Sequence, residues 1–140
     1  MILKSASIGK YKLYGHLWIL CLRILAGSFI LTHGLPKLTQ LLSGNEIHFI
    51  DPFGLGTTFT IALVVFAEVL CAIFIILGLF TRLATIPLMI SLIGATLTVH
   101  AGQLFAQKEL AYLYLILFAT LFVFGSGKFS IDVLYGKKQS

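Results

Sequence analysis

Charge is the scarcest property of this sequence: only 11% of its 140 residues are Asp, Glu, Lys or Arg. An ordinary soluble domain is about 25% charged and about 45–50% apolar. This chain is 59% apolar, and its mean hydropathy is +1.02. A soluble fold of this size would have to expose many of those apolar side chains to water. The composition therefore excludes a soluble domain and indicates an integral membrane protein.

The sequence also lacks the motifs of several common kinds of functional site. The two cysteines, Cys21 and Cys71, lie in apolar segments without a C-x-x-C motif, so we interpret them as small hydrophobic residues. The sequence shows no Gly-rich phosphate loop, no hydrolase triad and no Cys/His metal spacing, and we predict no metal site. The ten basic residues are not clustered, so we expect no nucleic-acid binding. The first apolar run is too long for a signal-peptide core and lacks an A-x-A site, so we expect it to be retained.

Long apolar runs predict four membrane-spanning helices. A span needs about 20 residues, and the runs that fit lie at about residues 17–35, 58–80, 83–101 and 109–126. Pro36 is expected to end the first span, and Gly-Asn and Asp-Pro steps mark turns in the connection that follows. Short connections between the last three spans favour antiparallel neighbours. We therefore predict an all-α membrane four-helix bundle, with residues 1–140 as a single domain.

The basic residues predict the orientation of these spans. Two of them, Lys37 and Lys108, fall in the connections expected on the outer side. Seven fall in the N-terminus, the turn between the second and third spans, and the tail: Lys4, Lys10, Lys12, Arg82, Lys128, Lys137 and Lys138. Cytoplasmic loops carry an excess of Lys and Arg. We therefore expect both termini in the cytoplasm.

Glu68 lies near the middle of the second predicted span. A charged residue at the bilayer centre costs about 2.5–3.5 kcal/mol on insertion scales, so Glu68 must pair, become protonated or line a wet cavity. We predict a proton or charge site there, with Arg23 as the candidate partner; a structural Glu is the alternative. Arg23 lies roughly 9 Å and Glu68 roughly 18 Å from the inner end of the spans. Pairing therefore needs a deeper Arg23 or a bridging water, and snorkelling of Arg23 to the interface is the other interpretation.

Two histidines, His33 and His100, fall at the outer ends of the first and third spans. Such a pair suits proton transfer beside a quinone, or haem or metal ligation, although helix-end histidines are also common as plain interfacial residues. Arg82 and Asp132 are both expected on the cytoplasmic side. There we predict a structural salt bridge that ties the tail to the turn before the third span.

Small residues are expected to bring the helices close together. Gly27 and Gly34 share one face of the first span with Arg23, and that face should look into the bundle. On the third span, small residues recur at helical spacing, and we interpret them as packing residues: Ser91, Ala95, Thr98 and Gly102.

These residues, in their order and spacing, resemble the DoxX family of four-helix membrane proteins. The match covers about Leu22 to Leu134, and its more specific parts are the G-L-x-T-R turn and the G-x-G-x-x-S-x-D ending. The segments that carry it are R-I-L-A-G from Arg23, H-G-L-P-K from His33, Glu68, G-L-F-T-R from Gly78, His100, and G-S-G-K-F-S-I-D from Gly125.

The resemblance implies a multi-pass protein of a bacterial or archaeal cytoplasmic membrane. The family takes its name from a subunit of a thiosulfate:quinone oxidoreductase, and other members are linked to thiol and oxidative-stress complexes. It therefore implies a redox setting without a substrate or a cofactor ligand. The lack of a cysteine pair argues against direct dithiol exchange. The family positions that match here are Arg23, Gly34, Lys37, Glu68, His100 and Asp132.

We therefore expect a subunit or accessory of a quinone-linked or thiol-redox electron-transfer system. Quinone is the candidate cofactor and haem is not expected. A quinone headgroup would contact His33, Lys37 and His100 in the outer half, and Glu68 would move protons. The alternatives are a small proton-coupled transporter, which would need a dimer, and a non-catalytic scaffold for redox partners. The expected partners are membrane lipid, a second copy of the chain or a soluble redox subunit.

Overall fold

The computed structural model describes residues 2–52, 54–98, 102 and 104–138. This part of the chain is all-helical and contains no β-strand, as the composition predicts. Its helices are α1 (Ile2–Leu42), α2 (Thr57–Leu77), α3 (Thr81–Leu97), α4 (Phe105–Phe124) and the short α5 (Ile131–Lys138). His100 and the predicted end of the third span at residue 101 lie outside the described residues.

Helices α1 to α4 pack around a shared apolar core. Helix α1 lies along α2, α3 packs against α4, and further contacts join α2 to α3 and α1 to α4. Each of the four contributes fully buried side chains, for example Ile30, Ile75, Leu88 and Phe118. The opposite faces expose many Leu, Ile and Phe side chains, far more apolar surface than a soluble protein presents to water. An apolar shell around an apolar core fits lipid as the solvent.

Within the residues that the structure describes, length and hydropathy single out two stretches that can cross a membrane, Lys12–Leu42 and Thr57–Leu77. Helix α3 is apolar but shorter, at 17 residues, and α4 has 20 residues. The connections at residues 78–80 and 125–130 lie at one end of the packed helices, together with Arg23. We call this the Arg23 end, and the opposite end, where α1 finishes and α2 begins, the Lys37 end.

The prediction that Pro36 ends the first span is wrong. Helix α1 continues to Leu42 with Pro36 inside it. A proline removes the N–H that would bond the carbonyl of Thr32, but away from water the other backbone groups still have to be satisfied within the helix. The helix therefore continues. As a result Lys37 lies on α1 rather than in a connection, three residues after Gly34 and on the same face.

The turn from α2 to α3 is tied to the tail by Asp132. The backbone N–H of Phe80 donates to Asp132 Oδ1 at 2.9 Å, and the N–H of Asp132 donates to the carbonyl of Gly78 at 3.1 Å. The predicted Arg82–Asp132 salt bridge is wrong: among the described residues Arg82 bonds the carbonyl of Val123 instead, at 3.1 Å from Nη2. The tail is thus attached to the turn through the side chain and the backbone of Asp132, because the turn leaves an N–H and a C=O group that Asp132 can satisfy.

Glycines on α1 set its distance from α2. A Cβ on Gly34 would lie 2.9 Å from the Cβ and the backbone carbonyl of Glu68, closer than real Cβ contacts come. A Cβ on Gly27 would lie 2.5 Å from the side chain of Ile76. Both glycines are buried, so the face of α1 that they share with Arg23 does look inward. Gly15, which lies nearer the start of the same helix, has open space around it.

We expect Gly34→Ala to destabilise the protein by about 1–3 kcal/mol, because the new methyl group overpacks a contact with backbone atoms that cannot move aside. Gly15→Ala is the matched control, and should be neutral or stabilising by up to about 1 kcal/mol through helix propensity. Unfolding in detergent micelles, followed by circular dichroism, measures both. Equal effects of the two substitutions would contradict the close approach of α1 and α2.

Candidate functional site

A buried ion pair at the Lys37 end joins α1 to α2. Lys37 Nζ lies 2.6 Å from Glu68 Oε1 and 2.5 Å from Oε2, so the ammonium bonds both carboxylate oxygens. Glu68 is 5% exposed, whereas the Lys37 side chain is 29% exposed. Arg23, the candidate partner that was weighed against its snorkelling, does not pair with Glu68. Lys37 is hard to predict as the partner, because a proline at position 36 suggests that the helix ends before it.

Local irregularity in α2 positions the carboxylate. Residues Phe66–Cys71 form a π-helical turn, and Glu68 lies within it. Such a turn carries wider i→i+5 hydrogen bonding inside an α-helix and is frequent at functional sites. Opposite it, Gly34 allows α1 to approach the backbone of Glu68 directly. Lys37, one turn later on α1, then reaches the carboxylate.

Two cavities share this ion pair. The first has a volume of about 300 Å³, and besides Lys37 and Glu68 it is lined by His33 and Tyr114. The second, of about 240 Å³, adds Ser91, whose hydroxyl lies 3.5 Å from Glu68 Oε1. A water molecule occupies about 30 Å³ in the liquid. Either cavity therefore has room for a small ligand or several waters.

The rim of the first cavity is partly aromatic. The His33 and Tyr114 rings meet edge to face with centroids 6.2 Å apart, and Tyr114 stacks on Phe118. His33 is exposed and Tyr114 is buried, so the cavity has a polar entrance and an aromatic wall. The structure thus brings three predicted residues together: Glu68, Lys37 and His33. His100 lies outside the described residues.

Tyr114 and Ser91 are site residues that the sequence did not reveal. Ser91 belongs to the small-residue stripe interpreted as packing, and only the position of Glu68 shows that its hydroxyl faces a carboxylate. Tyr114 stands in an apolar stretch of α4, where a tyrosine usually packs in the core. Its hydroxyl is the one signal available, and the exposed Tyr112 two residues earlier carries the same group.

The charges of the site cancel within it. One ammonium and one carboxylate share two short hydrogen bonds, so the cavities carry a strong local dipole but no net charge from this pair. Such a pair in a low-dielectric interior favours a polar, uncharged ligand over an ion. The Lys37 ammonium has three N–H donors for these two contacts, so at least one N–H remains for a ligand.

Arg23 forms a separate structural centre at the Arg23 end. Its side chain is 1% exposed. Nε donates to the carbonyl of Ile75 at 3.1 Å, Nη2 to Ile76 at 3.3 Å, and Nη1 to Phe129 at 2.9 Å and to Ser126. The guanidinium therefore ties α1 to the end of α2 and to the α4–α5 connection.

This position excludes both earlier interpretations of Arg23. It neither pairs with Glu68 nor reaches water, because its donors are used by backbone carbonyls. Fourteen residues of helix separate Arg23 from Lys37, a rise of about 20 Å. Gly78 makes room for the guanidinium: a Cβ there would lie 2.8 Å from Arg23 Cζ.

The described residues hold two free cysteines, an exposed Cys21 and a buried Cys71. In the same part of the chain, no three His, Cys, Asp or Glu side chains come close enough together to hold a metal ion. The ionisable side chains that line the first cavity are those of His33, Lys37, Glu68 and Tyr114.

Comparison with known proteins identifies a family. A sequence model of the DoxX family matches residues 18–101, more than half of the chain. The matched range contains Arg23, Lys37 and Glu68, and Asp132 lies beyond it. No curated protein and no solved structure matches the chain significantly.

We expect the two halves of the ion pair to respond differently to substitution. Lys37→Met strands a buried carboxylate and should destabilise by about 3–5 kcal/mol. Glu68→Gln should cost less, because the partly exposed Lys37 can turn toward water. The double variant should recover much of the Lys37→Met loss.

A double-mutant cycle, with unfolding titrated in mixed micelles, measures this coupling. Cys21→Ala, an exposed change on α1, serves as a control for the helix itself. Additive effects of the two substitutions would show that the pair contributes no interaction energy.

Proposed function

The chain belongs to the DoxX family of membrane proteins, and on that premise we propose that it serves a quinone-linked or thiol-redox electron-transfer system as a membrane subunit or accessory. The observation that carries the proposal is the buried Lys37–Glu68 ion pair between two cavities. Ionisable groups inside membrane helices are rare and mark proton or substrate pathways.

A quinone headgroup suits the first cavity on three counts. It is uncharged, as a site with a self-neutralised ion pair prefers. Its two carbonyl oxygens accept hydrogen bonds, and the free Lys37 N–H, the Tyr114 hydroxyl and the His33 ring are available donors. Its planar ring fits beside the aromatic wall. The volume of about 300 Å³ is at the lower end of the range for ligand pockets.

Quinone chemistry supplies electron transfer coupled to proton uptake and release, and the ion pair supplies the proton route. Lys37 can pass a proton to Glu68 along a bond of 2.5–2.6 Å, which converts the charged pair into a neutral amine and acid. The His33 ring, at the exposed rim, can exchange protons with water. Protons can thus enter at His33 and reach a ligand beside Glu68.

The proposed membrane topology has four spans with both termini in the cytoplasm of a bacterium or archaeon. Supporting this, Arg82 and Lys128 lie at the Arg23 end, whereas at the Lys37 end the charge of Lys37 is neutralised by Glu68. In this topology the Lys37–Glu68 ion pair and its two cavities lie in the outer half of the membrane.

We expect the purified protein to bind short-chain quinone analogues, and Tyr114→Phe to weaken that binding about 2- to 10-fold through loss of one hydrogen bond. Tyr112→Phe is the matched control, because Tyr112 is exposed on the same helix and lines neither cavity. Glu68→Gln should also change the affinity. Isothermal titration calorimetry measures all four proteins. No binding by the native protein, or identical affinity in every variant, would refute the quinone site.

A proton-coupled transporter is the second candidate, and one observation favours it: the same ion pair lines both cavities, so opening it would join them. This function predicts proton flux in liposomes that Glu68→Gln abolishes and Tyr114→Phe leaves intact. Quinone binding without flux would eliminate transport. If neither occurs while Glu68→Gln impairs assembly with a partner, the protein is a scaffold.

A further inference from the structure

A second polar pocket lies at the Arg23 end, away from the ion pair. Its volume is about 550 Å³, and it forms where α1, the start of α3 and the α4–α5 connection meet. Three basic residues line it, His16, Arg82 and Lys128, against one acid, Asp132. We propose that this pocket binds a phosphate group, and that the group belongs to the headgroup of an anionic phospholipid.

Arg82 is held across the pocket in a position to bind an oxyanion. It extends from the first turn of α3 to α4, where Nη2 donates to the carbonyl of Val123 at 3.1 Å. An arginine has five N–H donors, so this bond fixes the guanidinium and leaves other donors for a ligand. Gly125 lies beside it with φ +76°, and a Cβ there would lie 3.3 Å from Arg82 Nε.

The proton of His16 is directed by a backbone contact. The N–H of Lys128 donates to His16 Nδ1 at 3.4 Å. A neutral imidazole that accepts at Nδ1 carries its hydrogen at Nε2, so the free edge of the ring is a donor. Lys128 itself is exposed and adds an ammonium group at the same wall.

Among the residues that the structure describes, the hydroxyl of Thr81 lacks a hydrogen-bond acceptor. It lines the pocket and is 1% exposed, yet within the described part of the chain its buried hydroxyl has no hydrogen-bond partner. Buried polar groups in native proteins nearly always have one. Thr81 also begins α3, whose first turn has no side-chain cap from Phe80. Its free N–H groups favour an anion.

The acid in the lining is already engaged through one of its oxygens. Asp132 Oδ1 accepts the backbone N–H of Phe80. Donors therefore outnumber free acceptors in the pocket, and the charges of Arg82 and Lys128 exceed that of Asp132. This balance selects an oxyanion rather than a cation or a neutral ligand.

The rim of the pocket indicates a lipid rather than free phosphate. Phe80, Leu83 and Phe124 line it with 59%, 64% and 66% of their surfaces exposed. An inorganic ion gains nothing from such a rim, whereas the glycerol and acyl chains of a phospholipid cover it. Basic pockets between membrane helices on the cytoplasmic side bind anionic headgroups, and the proposed topology places the pocket there.

To test this proposal, the 140-residue protein in detergent is titrated with three ligands. They are phosphatidylglycerol, phosphatidylcholine with the same acyl chains, and inorganic phosphate. Thermal unfolding and native mass spectrometry report binding, because a ligand of the folded state raises the Tm. We expect phosphatidylglycerol to bind about tenfold or more tightly than phosphatidylcholine. Arg82→Gln should weaken it by about tenfold or more, through loss of charge-assisted hydrogen bonds.

Two further variants keep the result independent of folding. Thr81→Val removes the unpartnered hydroxyl, so the ligand-free Tm should stay or rise while phosphatidylglycerol binds several-fold more weakly. Lys12→Gln removes an exposed basic charge on α1 outside the pocket and should not alter binding.

The outcomes separate the sources of the phosphate. Stabilisation by inorganic phosphate, with no preference for phosphatidylglycerol, would overturn the lipid assignment in favour of a free phosphate. Equal losses in Lys12→Gln and Arg82→Gln would overturn the pocket itself and leave only general surface electrostatics. The quinone proposal is unaffected by either result, since the two sites share no residue.

Discussion

Charged groups buried in a lipid-embedded protein must find their partners within the protein, because lipid offers none. The chain meets this constraint in two different ways. At one end the Glu68 carboxylate takes the Lys37 ammonium, charge against charge. At the other end the Arg23 guanidinium takes backbone carbonyls at the end of α2 and in the α4–α5 connection. The first arrangement places ionisable groups beside cavities, where they can take part in chemistry. The second holds α1, α2 and the α4–α5 connection together.

Both solutions depend on the close approach of α1 to its neighbours. Gly34 removes the side chain that would hold the α1 backbone away from Glu68, and Gly78 leaves room for the guanidinium of Arg23. The π-helical turn Phe66–Cys71 adjusts α2 at the same level as Gly34. Packing and electrostatics therefore cannot be separated here: the ion pair forms only because the helices can touch.

The two ends divide the roles of the ionisable residues. The Lys37 end combines a self-neutralised ion pair, aromatic rings and enclosed volume, which suits a polar, uncharged ligand and proton movement. The Arg23 end combines basic side chains with an apolar rim, which suits the membrane surface. A redox subunit needs both a place for its electron carrier and a fixed position in its membrane. The proposed functions of the two pockets are consistent with that arrangement.

The sequence by itself determined the membrane class, the all-helical fold and the inward face of α1, because these follow from composition, apolar run length and helical period. The motifs between Arg23 and Asp132 indicated the DoxX family by resemblance. The sequence also identified Glu68 as the acid that needs a partner. Tertiary structure decided which basic residue is that partner. Pro36 does not end α1, so Lys37 stays on the helix and reaches Glu68. Arg23 lies about 20 Å from Lys37 along α1 and bonds backbone carbonyls instead. Local signals give the cost of burying a charge, but they do not give the distances between helices that decide how the charge is satisfied.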